Sequence, residues 1–370
     1  MPSAQAVPMR VSAFTGGRNV PSARLRVRQY IPRLGEFGIE VRERRLWMGK
    51  MMPRKWAKRP LWAASTVLQR SVEVPCSWSA DVTLISRQVM PAFIPLDRFT
   101  KAPRVLDVDD AIWLNRGGHR AGSLAQCCEA VICGNSFLAE FFSKWNRNVV
   151  VIPTAVDTEL MRPREVNAIA EGATVVGAAD GQVSGPVIGW TGTSDNFRYL
   201  HGIEGSLRVV LEKHKDARLR VIADVPPMFR ELDVERVEFV QWGEEAERVA
   251  LRSLTVGIMP LEDSVWARGK CSFKMLTYMA SGVPVVASPV GMNAEVLGLG
   301  EIGFGAATSD EWVEALDVLL SDAEKARAMG MRGREVAVRY FSVDALAPRL
   351  ARELFVVAGR TNAVLDMKLA

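Results

Sequence analysis

Hydrophobic positions along the chain follow two alternating patterns. Short runs rich in Val, Ile and Leu give way to stretches in which apolar residues recur every third or fourth position. These are the marks of buried strands and amphipathic helices. The first series of strand-like runs is "MRVSAF" (9–14), closed by the turn "TGG", then "GIEVRER" (38–44), "DVTLIS" (81–86), "PRVLDVDD" (103–110), "AVICGN" (130–135) and "VVVIPT" (149–154). A second series comprises "PVIGWTG" (186–192), "ARLRVIAD" (217–224), "VEFVQW" (237–242), "LTVGIMPL" (254–261) and "VPVVAS" (283–288). Between them, "VNAIAEGATVVGAADGQVSGP" (166–186) holds small residues and no Lys or Arg, the composition of a linker. Strands alternating with helices predict parallel sheets covered on both faces. The chain therefore reads as α/β, with two Rossmann-like doubly wound parallel-sheet domains facing across a cleft. The expected layout is an N-terminal domain over 1–165, a linker over 166–185, a C-terminal domain over 186–342 and a C-terminal helical segment over 343–370.

Composition narrows this picture. At 370 residues, 48% hydrophobic and 24% charged, the chain suits two ordinary globular cores, and it shows no repeat of solenoid period. It contains no apolar run of membrane-spanning length, and "MPSAQAVPMRVSAF" at the start lacks the basic-then-apolar pattern of a secretory signal. Five cysteines without metal-ligand spacing fit a reducing cytoplasm, and three scattered histidines argue against a histidine metal centre. The net charge of +5 hides an asymmetry: residues 1–60 hold fourteen Arg or Lys against three Glu. Within them, "RRLWMGKMMPRKWAKRPLW" (44–62) interleaves cations with tryptophans and methionines. That segment reads either as a solvated basic face or as an attachment to an anionic membrane surface, since Trp and Lys/Arg together favour the headgroup region. No recognised nucleic-acid motif accompanies it, so no nucleic-acid partner is expected.

Candidate chemistry gathers at three loops, each following a strand, where open parallel sheets bind ligands. The first, "GWTGTSDN", contributes Gly189, Thr191, Gly192 and Thr193, small residues that let backbone N–H groups approach a phosphate. It matches neither dinucleotide nor P-loop fingerprints, and a tight turn with a helix cap is the plain alternative. The second opens a helix expected over 270–281, closed by Gly282, whose first turn places Lys270 and Lys274 on one face. Cations there oppose the helix dipole at a cost of some tenths of a kcal/mol each. A diphosphate bound at the helix start would turn that cost into charge neutralisation, supplying what a divalent metal would otherwise supply. Hence no metal and no cofactor is expected. The third loop, "SPVGMNAEVL" (288–297), offers Gly291, Asn293 and Glu295, and Trp242 at the end of the 237–242 run joins the binding candidates. Asp107, Asp109 and Asp110 close a strand and form an acidic cluster, readable as a helix cap or as ligands for hydroxyl groups.

Taken in order, several blocks resemble the bacterial glycosyltransferases of the two-Rossmann-domain type B class, retaining family 4 (glycosyl transferases group 1). They are "SARLRVRQYIPRL" (22–34), "VLDVDDAIW" (105–113), "NSFLAEFF" (135–142), "VIPTAVDT" (151–158), "VGIMPLED" (256–263) and, most specific, "KCSFKMLTYMASGVPVVASPVGMNAEV" (270–296). The resemblance implies a nucleotide-diphosphate sugar held mainly by the C-terminal domain and a glycan or lipid-linked acceptor held mainly by the N-terminal one. It implies Gly16 and Gly17 close to the donor diphosphate, and the stretch 343–359 crossing back to the N-terminal domain. It also implies retention of anomeric configuration, work in cell-surface polysaccharide or related glycan synthesis, and a place in the cytoplasm or at the inner face of the membrane. Asp109, Asp110 and Lys274 are the expected catalytic residues, with no general base assigned. One departure stands out: the paired glutamates of many members fall here at Gly269 or Lys270 and at Thr277. A nucleotide-sugar epimerase of the same fold, or a donor-binding protein without turnover, are the alternative readings.

Overall fold

A computed structural model describes residues 7–363 except 19, 50–52, 54, 91–95, 116, 117, 164–184 and 361. The expected linker thus lies, but for Gly185, outside the described residues, as do Lys50, Met51, Met52 and Arg54 of the basic segment. The chain divides into two compact units. The first comprises Met1–Ala155, Gly269–Cys271 and Val343–Ala370, and the second comprises Val156–Arg268 and Ser272–Ser342. The first division therefore falls at Ala155, ahead of the small-residue stretch.

The sheet of the first unit is built from β1 (Met9–Thr15), β2 (Ile39–Arg45), β3 (Val82–Ser86), β4 (Arg104–Val108), β5 (Ala130–Cys133) and β6 (Val149–Val151). Its order is β2-β1-β3-β4-β5-β6, and every pairing is parallel. The chain leaves β1 to one side and returns to its other side, so the sheet reverses direction of winding between β1 and β3. The sheet of the second unit is built from β7 (Val187–Thr191), β8 (Arg218–Ala223), β9 (Val237–Gln241), β10 (Val256–Met259), β11 (Val285–Ala287) and β12 (Gly303–Gly305). Its parallel order β9-β8-β7-β10-β11-β12 is the doubly wound order, and it reverses between β7 and β10. Each strand but β12 falls on a run the hydrophobic pattern marks. β12 reads Gly-Phe-Gly and has no apolar run to betray it.

Central strands β3 and β7 are buried at every residue, as strands covered on both faces must be. Edge strands β2 and β9 are only partly buried, and β2 carries Glu40, Arg42, Glu43, Arg44 and Arg45, charges that discourage further strand pairing. The helix Val343–Val357 lays Leu346, Ala347, Leu350, Ala351 and Leu354 into the first unit's core against Met9, Val11 and Val105. Each large apolar side chain so buried stabilises the unit by roughly 1.5–3 kcal/mol. In the second unit, Gly282 ends a helix with φ 72°, a left-handed conformation only glycine adopts cheaply. Among the described residues no helix is long and apolar enough to cross a membrane.

Candidate functional site

The second unit's crevice forms where β7 and β10 part. They pair only at Ile188–Val256 and Gly189–Gly257, and Tyr278 closes the gap beyond. Its hydroxyl accepts the Thr191 N–H at 2.9 Å and donates to the Ile258 carbonyl at 3.3 Å. The ring fits because residue 257 is glycine, where a Cβ would stand 2.3 Å from the ring. Burial pushes the Tyr278 phenol far above its ordinary pKa, against the Thr191 hydrogen bond, so it stays a neutral donor.

This seam corrects two expectations about the first loop. Gly189 lies within β7 and packs beneath Leu254, which a Cβ would approach to 2.2 Å. Thr191 is buried, its N–H engaged by Tyr278 and its hydroxyl donating to Glu247 Oε1 at 2.6 Å. The exposed turn therefore begins at Gly192. Asp224, just beyond β8, holds it by accepting the Ser194 N–H at 2.6 Å and the Ser194 hydroxyl at 2.9 Å. Asn196 Nδ2 donates to the Thr193 hydroxyl at 2.9 Å.

Lys274 reaches this turn. Its Nζ stands 4.1 Å from the centroid of the buried Trp190 ring, an arrangement worth about 0.5–2 kcal/mol. A Cβ on residue 192 would lie 2.4 Å from that Nζ, so Gly192 and Lys274 share one small space.

Lys270 does not share a helical face with Lys274. The helix runs from Phe273 to Ala280, preceded by Ser272 with φ 49°. A helix cannot continue through that left-handed residue. Asn293 fixes the break: its Oδ1 accepts the Ser272 hydroxyl at 2.6 Å, and its Nδ2 donates to the Ser288 carbonyl at 3.0 Å. Asn293 is fully buried, so its side chain braces the helix start and does not line a surface. Gly291 approaches the Arg268 backbone, where a Cβ would come within 2.8 Å. Glu295 and Trp242 are exposed. Thr277, where the resemblance would place a glutamate, is buried, and its hydroxyl donates to the Lys274 carbonyl at 2.6 Å.

Gly269–Cys271 belong to the first unit. There Asn135 Nδ2 donates to the Lys270 carbonyl at 3.0 Å, Cys271 Sγ donates to the Asp109 carbonyl at 3.2 Å, and Gly269 packs on Ala111. The acidic cluster divides. Asp107 is buried and paired with Arg26 at 2.6 Å, so it does not face an open surface. Burial alone would lower the Arg26 pKa, but the Asp107 carboxylate outweighs it and keeps the guanidinium charged. Asp109 and Asp110 are both bridged by Arg87, through Nε at 2.6 Å and Nη2 at 2.5 Å. Burial raises the Asp110 pKa, against the pull of Arg87. Arg87 follows β3 with φ 68°, a conformation costly for a non-glycine residue and concentrated at functional sites. Gly16 is half-buried, and Gly17 packs near Gly49, which a Cβ would approach to 3.0 Å. Among the described residues no group of three or more His, Cys, Asp or Glu is placed to hold a metal ion.

Tyr278, Asp224, Trp190 and Arg87 escape the sequence reading. Gly257, an isolated glycine inside an apolar strand, is the signal that could have pointed to a bulky neighbour such as Tyr278. Trp190 and Asp224 lie within quoted strand runs and Arg87 just after one, and none carries a spacing of its own.

Comparisons with known proteins bear on this site. The chain is 23% identical over 272 residues to the D-inositol 3-phosphate glycosyltransferase of Corynebacterium urealyticum, covering 66% of this chain and 62% of that relative's length. It thus spans less than two thirds of that relative. The sucrose-phosphate synthase of Thermosynechococcus elongatus has a similar fold, with a TM-score of 0.67, 16% identity, and coverage of 94% of this chain and 99% of that one. Anabaena HepE, solved with UDP and glucose, gives a TM-score of 0.66 at 13% identity over the same shares. Residues 185–322, which contain the β7 turn, Tyr278, Lys274 and the Asn293 brace, match the family model described as Glycosyl transferases group 1.

Proposed function

We propose that the protein transfers a sugar from a nucleotide-diphosphate sugar to a glycan or lipid-linked acceptor, with retention of anomeric configuration, in cell-surface polysaccharide or related glycan synthesis. The observation that carries this reading is Lys274, set in the first turn of the Phe273–Ala280 helix beside Gly192 at the reversal point of the second sheet. It stands in the segment that matches the group 1 family, and a relative and a structural neighbour are named for glycosyl transfer or solved with UDP and glucose.

In this reading the donor diphosphate sits against the helix start, where backbone N–H groups and the dipole favour anions. Lys274 adds a charge-assisted contact that strengthens as the diphosphate departs. The acceptor oxygen bonds to the anomeric carbon on the face the phosphate leaves. The carbon–phosphate oxygen bond breaks, and that oxygen takes the acceptor proton. No carboxylate pair at glycosidase spacing is needed. Asp109 and Asp110 would meet acceptor or sugar hydroxyls by exchanging contacts with Arg87. The basic segment 44–62 draws the protein to an anionic membrane at the cytoplasmic face, each cation near the surface contributing about 1 kcal/mol.

Thermal denaturation with UDP-, GDP- and ADP-sugars, followed by a transfer assay, tests this reading. One nucleotide class should stabilise the protein, by about 2.7 kcal/mol at a hundredfold excess over Kd. Sugar transfer should then need an acceptor and survive excess EDTA. Loss of transfer on chelation, with recovery on adding magnesium or manganese, would refute the lysine-only account. Epimerised sugar released without acceptor would make the protein an epimerase. Donor binding with no turnover would leave it a binding protein.

A further inference from the structure

The helix Arg59–Cys76, in the first unit, is amphipathic in the reverse of the usual sense. A helix on a globular protein turns its apolar stripe inward. Here the inward face carries Thr66, Gln69, Arg70 and the partly buried Glu73, together with Trp62 and Val74. Their polar groups are engaged: Gln69 donates to the Arg45 carbonyl and Glu73, and Arg70 donates to the carbonyls of Thr15, Arg44 and Val89. The outward face carries Leu61, Leu68 and Val72, which are 66%, 67% and 61% exposed. Spaced by seven and four residues, these three lie on one line along the helix. Trp56, 79% exposed, stands just ahead of the helix, and the exposed Trp47 and Met48 lie beside it, with Ser65 contacting Met48.

Charge identifies the occupant. Between Trp56 and Trp78 the only acidic residue is Glu73, which turns inward to pair with Arg70 at 2.5 Å. Lys55, Lys58 and Arg59 are exposed at the start of the stripe. An exposed apolar row edged by cations and tryptophans, with no acid on its face, matches the boundary between anionic headgroups and acyl chains. We infer that Leu61, Leu68 and Val72, with Trp56, insert into an anionic lipid surface while Lys55, Lys58 and Arg59 meet its headgroup phosphates. This inference rests on the reading of residues 44–62 as membrane-facing and adds a salt-resistant apolar anchor that continues along the helix to Val72.

Vesicle co-sedimentation separates the two. Full-length protein should partition onto phosphatidylglycerol-containing vesicles at low salt and retain a measurable fraction at about 0.5 M salt, where exposed charges are screened. The variant Leu61→Gln/Leu68→Gln/Val72→Gln should lose that salt-resistant fraction by about tenfold or more, the scale of withdrawing three apolar side chains from the interface. Its nucleotide affinity and melting temperature should match the parent, since the three side chains face outward. Lys55→Ser/Lys58→Ser/Arg59→Ser should instead lose the low-salt component. If the apolar variant partitions like the parent at both salts, the anchor falls and the basic-segment reading stands. If the parent stays in the supernatant at low salt, both fall. A concentration-dependent dimer abolished by the apolar variant, without vesicle binding, would assign the stripe to a second copy and overturn the inference.

Discussion

The first strands of the two units end alike. β1 closes with Phe14 and Thr15 and is followed by Gly16, and β7 closes with Trp190 and Thr191 and is followed by Gly192. In each, the threonine hydroxyl donates to a glutamate, Thr15 to Glu43 at 2.8 Å and Thr191 to Glu247 at 2.6 Å. In each, a cation lies over the aromatic ring, Arg70 at 5.1 Å from Phe14 and Lys274 at 4.1 Å from Trp190. The seams beside these strand ends are closed differently. The first exposes only acceptors, the carbonyls of Thr15, Arg44 and Val89, and the donor-only guanidinium of Arg70 satisfies all three. The second presents one donor, Thr191 N–H, and one acceptor, the Ile258 carbonyl, and the Tyr278 hydroxyl serves both. A cation is thus built into the wall of the first unit. In the second unit a neutral phenol does that work, and the cation stands at the turn where a ligand phosphate could meet it.

The comparison is most easily broken at Arg70, whose side chain is fully buried. Arg70→Met leaves three carbonyls without the Arg70 donor and takes from Glu73 its paired cation, and loss of one partner from a buried pair costs about 3–5 kcal/mol. Chemical denaturation should show that loss in the first unit, with nucleotide affinity unchanged in protein that remains folded. A cost below that of opening the second seam would mean that Arg70 is not the clasp described here.

The second cation should behave oppositely. Lys274→Ala should leave the fold intact and weaken donor binding more than tenfold, since a charge-assisted contact is worth about 1.5–3 kcal/mol. Calorimetry with the nucleotide identified by thermal shift measures it. An unchanged affinity would remove Lys274 from the site and make its place over Trp190 a packing feature.

Much of this fold is legible in the sequence because parallel strands buried on both faces write themselves as unbroken apolar runs, "VTLIS" and "VIGWT" among them. β12 is hidden because its backbone pairs with β11 with a single apolar side chain, Phe304, between two glycines, too short a run to mark a strand. Of the candidate residues, Lys274 and Gly192 are ones that the sequence marks, by a charge or a glycine in an unexpected place, and that the structure brings together. Lys270 misled because four-residue spacing implies a shared face only if the helix is continuous, and a buried bond from Ser272 to Asn293, distant in sequence, breaks it. Tyr278, Asp224 and Arg87 act through long-range contacts that local periodicity cannot record.

Opening the second seam tests whether the phenol is needed. Tyr278→Phe keeps the ring against Gly257 and removes only the hydroxyl. It strands the Thr191 N–H and relieves the Ile258 carbonyl of one weak bond. An unsatisfied buried donor costs about 1–3 kcal/mol, and the lower half of that range applies because Ile258 retains little to lose. Denaturation midpoints should fall accordingly. Donor affinity should fall less than for Lys274→Ala, because the hydroxyl shapes the strand ends without meeting the ligand. Equal losses for the two variants would place Tyr278 in contact with the donor.

The smallest expected effect on donor affinity concerns Gly192. A methyl there would stand 2.4 Å from Lys274 Nζ and 2.6 Å from the tip of the Trp190 ring, Cη2. The lysine end can swing aside, but the ring is held by the core around Leu200 and Ile188 and cannot. Gly192→Ala should therefore displace the ammonium from its place over the ring, at the cost of an off-rotamer side chain, about 0.5–1.5 kcal/mol. That corresponds to roughly a two- to tenfold loss of donor affinity, and because the methyl also presses on a ring that cannot yield, the melting temperature should fall too. The combined variant Gly192→Ala/Lys274→Ala decides the cause. If the methyl acts only by moving the ammonium, it should add nothing once the lysine is gone, and the double-mutant coupling should equal the single effect of Gly192→Ala. Additive losses would mean that the turn itself contacts the donor through its backbone. The small space between Gly192 and Lys274 would then be a second binding element rather than a seat for the cation.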